Sequence, residues 1–361
     1  MTFASSARPE PETHLRLRRA RTILIYWSEG RLVFENYLTH ISITADPLAI
    51  KILHFFDRWR RPNEFLSHMR EYSQGSVRKA LRGLVENTLL VEEGTLAARR
   101  DARLEKIWSR WLPYGAFHFA TKDMPFLDSA HAAKRLKKYL AESPQPAFFK
   151  SYTTAAQVEL PREDPPEDEF LRVLIARRTR REFSGDSLSL DSLSKLLFYT
   201  WGVTGFLHSP VLGPLPLKTS PSGGARHPTE VYLAALKVKG LAPGLYHYDA
   251  RNHRLELLRK GSMKTKAAQY CAGQRYVKNA AAVFLMTAVF PRSMWKYRLP
   301  RAYRVVLLDA GHLCQTFCLT ATWLGLAPFC TAALKDSVVE KDLGLDGVSE
   351  SVLYVAGVGM P

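Results

Sequence analysis

The sequence has few cysteines and no apolar run long enough to cross a membrane. Its four cysteines, spread over 361 residues, cannot form a disulfide framework, so we expect reduced and mostly buried thiols. The longest mainly apolar run, residues 280–290, is far shorter than the about 20 residues that span a bilayer. The amino terminus lacks the apolar segment of a secretory signal. These absences favour a cytoplasmic protein that does not enter the membrane.

Acidic residues are scarce relative to basic ones. The chain has 34 Asp and Glu against 51 Lys and Arg, which gives a net charge of +17. Such an excess favours an anionic partner such as nucleic acid, a membrane surface, a phosphorylated cofactor or an acidic peptide. The arginines are spread along the chain, which weakens the nucleic-acid interpretation. A solubilising surface would explain the charge equally well.

The first part of the chain predicts a small independent unit at residues 20–95. Residues 22–34 have the pattern of strand, tight turn and strand. A helix is predicted to begin at Asp46, which would cap it, and a second short helix follows. A third helix is predicted with Ser76 as its cap, and residues 89–91 are extended. The order is strands first and then helices.

The rest of the chain predicts a larger domain behind a linker. Residues 97–140 are helical in pattern and form a connector, and residues 141–168 are rich in proline and acids, as linkers are. Residues 169–361 mix helices with strands that are apolar on both faces, so we predict an α+β fold in which helices wrap a mixed or antiparallel sheet. Its main elements are strands at 231–238, 281–289 and 352–358 and a long helix at 309–324.

The sequence PSGGAR at residues 221–226 has the features of a turn that lines a ligand. Gly223 and Gly224 carry no Cβ, so their backbone N–H groups can approach a flat or anionic ligand closely. Ser222 adds a hydroxyl, and Arg226 adds a planar guanidinium that suits a phosphate or a ring carbonyl. A plain hairpin loop has the same short sequence, so the interpretation depends on other segments.

The sequence RRTRREF at residues 177–183 places four guanidinium groups and a hydroxyl after a helical segment. Cations at the carboxyl end of a helix complement its dipole, which is the simplest explanation. Closely spaced arginines also repel each other, and a bound phosphate would relieve that repulsion through bidentate hydrogen bonds. We interpret the run as a phosphate site.

Four segments follow one another along the chain in the order RRTRREF, LLFYTWGVTG, SPSGGARHPTEVYL and GLYHYD. Together they resemble the flavin-dependent nitroreductase superfamily. More narrowly, they resemble its SagB/ThcOx-type branch, the azoline dehydrogenases of thiazole- and oxazole-modified peptide pathways. The resemblance covers residues 170–361. It implies bound FMN, reoxidation by oxygen, and a homodimer with the flavin at the subunit interface.

The amino-terminal unit resembles the PqqD-like peptide-recognition element, a relative of the winged helix. This resemblance implies that the unit binds the leader of an azoline-containing precursor peptide or docks a cyclodehydratase complex. Basic residues on the third predicted helix leave a DNA-reading winged helix open. A solvated helix face explains those residues as well, and we expect no nucleic-acid partner.

The resemblance also implies roles for individual residues. The FMN phosphate and pyrimidine edge would be held by Arg177, Arg178, Thr179 and Arg181. The isoalloxazine would be lined by Pro221, Ser222, Gly223, Gly224 and Arg226. A loop over the other face of the flavin would contain Ala327, Pro328, Phe329 and Thr331. Catalysis is assigned to Lys296 and Tyr297. Asp309 stands where a glutamate is more usual.

Oxidation of an azoline to an azole removes a hydride and a proton. FMN accepts the hydride, so the protein has to supply a base and exclude water. Lys296 is the candidate base, since arginines nearby in the sequence disfavour its charged form. Tyr297 would share the proton or orient the ring. An NAD(P)H-dependent nitro- or quinone reductase is the alternative function, followed by a DNA-binding flavin sensor.

A metal site is not expected from the spacing of potential ligands. His312, Cys314 and Cys318 lie in one predicted helix, where positions four apart share a face. No second group of histidines or cysteines supplies further ligands at a recognisable spacing. We therefore interpret the two cysteines as core residues.

Overall fold

The structure is a computed structural model that describes residues 15–45, 47–69, 71–124, 129–150, 160 and 168–361. Its contacts divide the chain into two compact units. The amino-terminal unit contains Met1–Lys122 and Tyr297–Pro300, and the carboxyl-terminal unit contains Asp123–Lys296 and Arg301–Pro361.

The amino-terminal unit contains two small antiparallel sheets. Its strands are β1 (Leu17–Arg19), β2 (Ile23–Ser28), β3 (Arg31–Asn36), β4 (Ile41–Thr44) and β5 (Leu90–Glu92). Strands β2, β3 and β4 pair in that order, and β1 pairs with β5. The predicted hairpin is β2 and β3, and Glu29 and Gly30 between them both have positive φ, as a two-residue type I′ turn requires.

Helices cover one side of this unit and bury its core. They are α1 (Leu48–Phe55), α2 (Pro62–His68), α3 (Gln74–Glu86), α4 (Leu96–Trp108) and α5 (Ala116–Ala120). Phe34, Ile52 and Phe56 are fully buried together. Ser76 was the wrong cap for α3, because the Ser73 hydroxyl accepts the Ser76 N–H and the helix starts earlier. The predicted cap Asp46 lies outside the described residues.

The carboxyl-terminal unit is a helix-covered sheet. Its strands are β6 (Gly205–Ser209), β7 (Gly213–Leu217), β8 (Thr229–Ala235), β9 (Gly244–Asp249), β10 (Arg254–Lys260), β11 (Ala282–Val289), β12 (Ala327–Thr331) and β13 (Glu350–Gly359). Its helices are α6 (Ser129–Glu142), α7 (Glu169–Ala176), α8 (Leu190–Trp201), α9 (Lys264–Tyr270), α10 (Phe290–Lys296), α11 (Ala302–Trp323) and α12 (Asp336–Leu343).

The main sheet has the strand order β10-β9-β8-β11-β13-β12, with every neighbouring pair antiparallel. Strands β8 and β11 are apolar on both faces because helices cover both faces. On one face Phe284 packs with Trp201 of α8 and Phe317 of α11. On the other face Leu285 packs with the cluster that contains α9 and α12. The predicted α+β fold is confirmed, and the predicted central strands lie at its centre.

Helix α11 starts at Ala302, seven residues before the predicted start. The prediction missed its first turns because Leu307 and Leu308, on the outward face, interrupt the expected polar pattern and are exposed. Among the described residues, α11 is the helix whose length and hydropathy would suffice to cross a membrane. Its buried stripe packs on the main sheet, which accounts for that apolar character.

The predicted linker lies largely outside the described residues, which omit 151–159 and 161–167 of it. The predicted helical connector at 97–140 covers most of α4, α5 and most of α6. The boundary between the two units falls after Lys122, so the connector is divided between them. The exact domain boundaries stay predictions.

Candidate functional site

The Ser-Gly-Gly turn is held by a buried carboxylate on α11. The Ser222 hydroxyl donates to Asp309 Oδ2 at 2.6 Å, and the Gly223 N–H donates to Asp309 Oδ1 at 3.2 Å. Ser222 Oγ in turn accepts the N–H of His227 at 2.9 Å. Burial raises the pKa of Asp309, although the hydrogen bonds from Ser222 and Gly223 favour its charged form. One side chain thus fixes both the hydroxyl and the backbone of the turn.

The backbone of the turn explains why the sequence has glycine there. A Cβ on Gly223 would lie 2.2 Å from Val305 Cγ1, so any larger residue would push the turn away from α11. Gly224 has a φ of 62°, in the left-handed region that favours glycine. Ala225 and His227 also have positive φ, at 55° and 41°. The turn is a strained structure pressed against the helix.

Helix α10 brings Lys296 to this turn. Lys296 Nζ donates to the Gly224 carbonyl at 3.3 Å, and Arg226 Nε donates to the same carbonyl at 3.2 Å. The Arg226 guanidinium also lies over the Trp295 ring, 5.5 Å from its centroid. The lysine side chain is exposed, so a ligand can reach it. The structure therefore joins the predicted base to the predicted ring-lining turn.

Tyr297 belongs to the amino-terminal unit, whereas Lys296, which precedes it, belongs to the carboxyl-terminal unit. Its backbone carbonyl accepts a hydrogen bond from Trp111 Nε1 at 3.1 Å within the amino-terminal unit. The catalytic role of Tyr297 stays a prediction.

A charged network supports the strand that follows the turn. Arg292 pairs with Glu230 at 2.5 Å and donates to the His227 carbonyl at 3.1 Å. His247 lies between Glu230 at 3.3 Å and Glu256 at 2.9 Å. The hydrogen bond to Glu230, followed by the one to Glu256, raises the pKa of His247 to about 9. His247 is therefore an imidazolium at neutral pH and donates to both carboxylates.

Only part of the arginine run at residues 177–181 interacts with the end of helix α7. Arg178 Nη1 donates to the carbonyls of Ile175 and Arg177, both at 2.7 Å, and so caps the end of α7. Arg181 lies over the ring of Tyr276, 5.6 Å from its centroid. Thr179 is exposed between them. Within the described part of the chain, none of the four arginines of the run makes an ion pair with a carboxylate, so their charge is available to an anion.

The segment predicted as a loop over the flavin is an edge strand. Residues 327–331 form β12 and pair with β13, because the apolar side chains of Ala327 and Phe329 find their place in the core. Pro328 is buried as well, so these three residues can offer a ligand only main-chain atoms. The Pro328 carbonyl accepts the Arg180 N–H at 2.8 Å, which brings the arginine run to this edge. Thr331 accepts hydrogen bonds from Gln274 and Ala333.

The sequence did not indicate what Asp309 does. It was noted only as a replacement for glutamate, whereas the structure makes it the anchor of the turn. The available signal was an acidic residue on an apolar helix stripe, between Val306, Ala310 and Leu313, where a carboxylate needs hydrogen-bond partners.

A family model described as the nitroreductase family matches residues 174–360, just over half of the chain. The chain belongs to this family. Its nitroreductase domain therefore contains the turn, Lys296 and the whole arginine run. The family predicted from the order of the motifs is confirmed.

Two relatives extend the comparison. The chain is 29% identical over 346 residues to the trifolitoxin-processing protein TfxB of Rhizobium leguminosarum bv. trifolii, a match that covers 91% of this chain and 90% of TfxB. It is 28% identical over 180 residues to the microcin B17-processing protein McbC of Escherichia coli, which covers 48% of this chain and 63% of McbC. The TfxB match includes the amino-terminal unit as well as the nitroreductase domain.

Among solved structures, one chain of the E. coli microcin synthetase McbBCD complex with truncated pro-MccB17 bound is similar to this chain. The two are 22% identical, with a TM-score of 0.47, and the match covers 72% of this chain and 93% of that one.

Proposed function

We propose that this chain is an FMN-dependent dehydrogenase that oxidises azoline rings to azoles in a ribosomally made peptide. The observation that carries the proposal is the 3.3 Å contact between Lys296 Nζ and the Gly224 carbonyl, since it places an exposed amine at the glycine turn. The relatives support the substrate class, because TfxB is named for processing trifolitoxin and McbC for processing microcin B17.

The residues present fit FMN. The arginine run has no carboxylate partner among the described residues, and its backbone lies along the edge of β12. The turn at 221–226 offers a guanidinium and a glycine pair without Cβ atoms. When bound, FMN would supply the acceptor for two electrons and one proton, as a hydride.

The chain itself would supply the base and the geometry. Lys296 would accept the proton from one ring carbon, while the hydride leaves the neighbouring carbon with its electron pair and the ring becomes aromatic. Arg226 and Trp295 would border the ring beside the lysine. Asp309 acts through the turn, which it holds at a fixed position, and is a positioning residue.

The test uses the full chain with added FMN and a synthetic peptide that contains one thiazoline. Mass spectrometry should show the loss of two hydrogens with the natural sequence. Lys296→Ala should keep its flavin absorbance and lose azoline oxidation by a factor of about 100 or more. Unchanged turnover would remove Lys296 from the mechanism.

Two other outcomes would contradict the wider proposal. A protein that stays colourless with added FMN is not a flavoprotein. Rapid reduction of the flavin by NADPH, without any azoline oxidation, would indicate a nitro- or quinone reductase instead.

The active form is proposed to be a homodimer. Helices α7 and α11 pack together and expose apolar side chains, with Phe170 63% exposed, Ile175 59% and Leu308 59%. Exposed apolar side chains on two packed helices favour an interface. Leu308→Glu should shift the mass in solution, measured by sedimentation, from dimer to monomer. A chain that is already monomeric with FMN bound would contradict the proposal.

The amino-terminal unit is proposed to bind the leader of the peptide substrate. A groove of about 350 Å³ lies between β2 and α1, with Ile23, Ile25 and Leu53 in its walls and Arg19 and Arg21 beside it. Strand β2 is an outer strand of its sheet, so an extended acidic leader can add to it by backbone pairing. Ile25→Glu should weaken binding of a fluorescent leader peptide, while FMN binding is unchanged. Equal binding by both proteins would exclude this groove.

A cyclodehydratase is the proposed protein partner, because it forms the azoline rings that this enzyme would oxidise. Co-purification of the two proteins, with and without the precursor peptide, measures the interaction.

A further inference from the structure

Three of the four cysteines meet at one point in the carboxyl-terminal unit. The Sγ atoms of Cys314, Cys318 and Cys330 all lie within 4.8 Å of one another. Cys314 and Cys318 share the inner face of α11, and Cys330 comes from β12. The first two are buried and the third is half-buried. The spacing along the chain showed only the helical pair, and the fold adds the third thiol.

We propose that these three cysteines form a binding site for one thiophilic d¹⁰ cation, Zn²⁺ or Cu⁺. Thiolates are soft ligands and select these two ions over harder cations. Three sulfurs bound to one ion at about 2.3 Å lie about 4 Å from each other. The observed separations, all within 4.8 Å, are compatible with this value, so small shifts of the side chains would close the site.

The surroundings suit a metal–thiolate centre with residual negative charge. Three thiolates with a divalent ion keep one negative charge, and with a monovalent ion two. Arg177 lies close enough for its charge to act on Cys318 and Cys330, and the Tyr354 hydroxyl lies within hydrogen-bonding reach of Cys330. Partners of this kind stabilise the charge on the ligands of a metal and fix their orientation.

The position of the site indicates a structural role. Strand β12 is an outer strand of the main sheet and pairs only with β13 there. A bound ion would tie this strand to α11 through Cys330, directly beside the arginine run. Because the ligands come from two separate elements, the binding free energy of the ion would add to the stability of the unit.

The experiment measures metal binding by the full chain without flavin. Protein purified under reducing conditions and freed of metal by a chelator is titrated anaerobically with Zn²⁺, and in a second arm with Cu⁺, against a chromophoric competitor. We expect one ion per chain in at least one arm. X-ray absorption of that ion should show three sulfur neighbours at about 2.3 Å.

Two variants locate the site. Cys330→Ala should weaken binding by about 100-fold or more, because it removes a ligand. Cys271→Ala is the matched control, since Cys271 is buried in the other core cluster and should bind like the natural sequence. If Cys330→Ala does not fold, the X-ray absorption spectrum of the natural protein tests by itself whether three sulfurs bind the ion.

Four results would overturn the proposal. One is the absence of a stoichiometric ion in both arms. Two others, a shell of nitrogen and oxygen ligands and equal binding by Cys330→Ala, would each mean a surface site. The fourth is a thiol count showing that two of the three cysteines form a disulfide in the metal-free protein as isolated.

Discussion

The two candidate ligand-binding segments of the nitroreductase domain are built in different ways. The turn at residues 221–226 is held from behind by Asp309, and a Cβ on Gly223 would collide with Val305. The arginine run at 177–181 is mostly exposed, with Arg177 half-buried, and is fixed mainly by backbone contacts, such as that between Arg180 and Pro328. We therefore expect the turn to recognise a ligand by shape and the run to recognise it by charge.

This difference predicts how each segment fails. A packing defect at the turn displaces backbone atoms, and its effect does not depend on salt. The loss of an exposed arginine weakens a Coulomb interaction, which is screened over about 10 Å at 0.1 M salt. Variants of the two segments can therefore be separated by titrating FMN at several ionic strengths.

The largest effect is expected for Gly223→Val. The added side chain cannot fit against Val305 and has to move the turn, and displacements of about 1 Å at a reacting centre can cost about 100-fold in rate. We expect azoline oxidation to fall by at least that factor, at every salt concentration. Steady-state assays by mass spectrometry measure it.

Gly83→Ala is the matched control for a glycine substitution. A Cβ on Gly83, in α3, meets nothing within 4 Å. The change should leave oxidation unaffected and stabilise the helix by about 0.5–1 kcal/mol. Normal turnover by Gly223→Val would contradict the shape-based account of the turn.

The next effect is that of Asp309→Ala. The substitution removes the acceptor for the Ser222 hydroxyl and the Gly223 N–H, and hydrogen bonds to charged groups contribute about 1.5–3 kcal/mol each. We expect a lower free energy of unfolding in urea and weaker FMN binding. Ser222→Ala removes only one of these bonds and should show a smaller loss of both. Equal values for the two variants would show that the carboxylate does not hold the backbone.

The sequence predicted the elements whose patterns are local. The hairpin of β2 and β3 follows from alternation and from Glu29-Gly30. Strand β11 was predicted because its eight residues are almost all apolar.

The features that the sequence did not predict depend on pairing between distant segments. The sequence predicts a loop at residues 327–331 because these residues alone give no sign of pairing with β13, which starts only at Glu350. The role of Asp309 requires Ser222 to lie against α11, and the thiol group requires Cys330 to return to the same helix. These contacts are products of the tertiary fold and have no short-range pattern.

A moderate and salt-dependent effect is expected for Arg177→Ala. The dissociation constant of FMN should rise by about 10- to 100-fold at low salt, because a phosphate partner is lost. The rise should shrink at high salt, unlike that of the turn variants. Fluorescence titration of FMN measures it.

Arg172→Ala provides the control for Arg177→Ala. Arg172 is an exposed arginine of α7 that lies outside the run, and its loss should change neither the affinity nor its salt dependence. If both variants behave alike, the run acts only through the overall charge of the protein.

The smallest effect concerns the network behind the turn and depends on pH. The pKa of His247 is raised to about 9 by Glu230 and Glu256, so its contribution to stability is complete below about pH 6.5 and is lost as the pH rises through 9. For a partly exposed group this amounts to about 1–2 kcal/mol. His247→Gln should flatten the stability profile between pH 6.5 and 9, measured by urea unfolding. His208→Gln, at an exposed site on β6, should keep the slope of the natural sequence. Glu230 also binds Arg292, which donates to the His227 carbonyl next to the turn. FMN binding should therefore also weaken as the pH rises through this range, and by more than a change in the arginine run alone would cause.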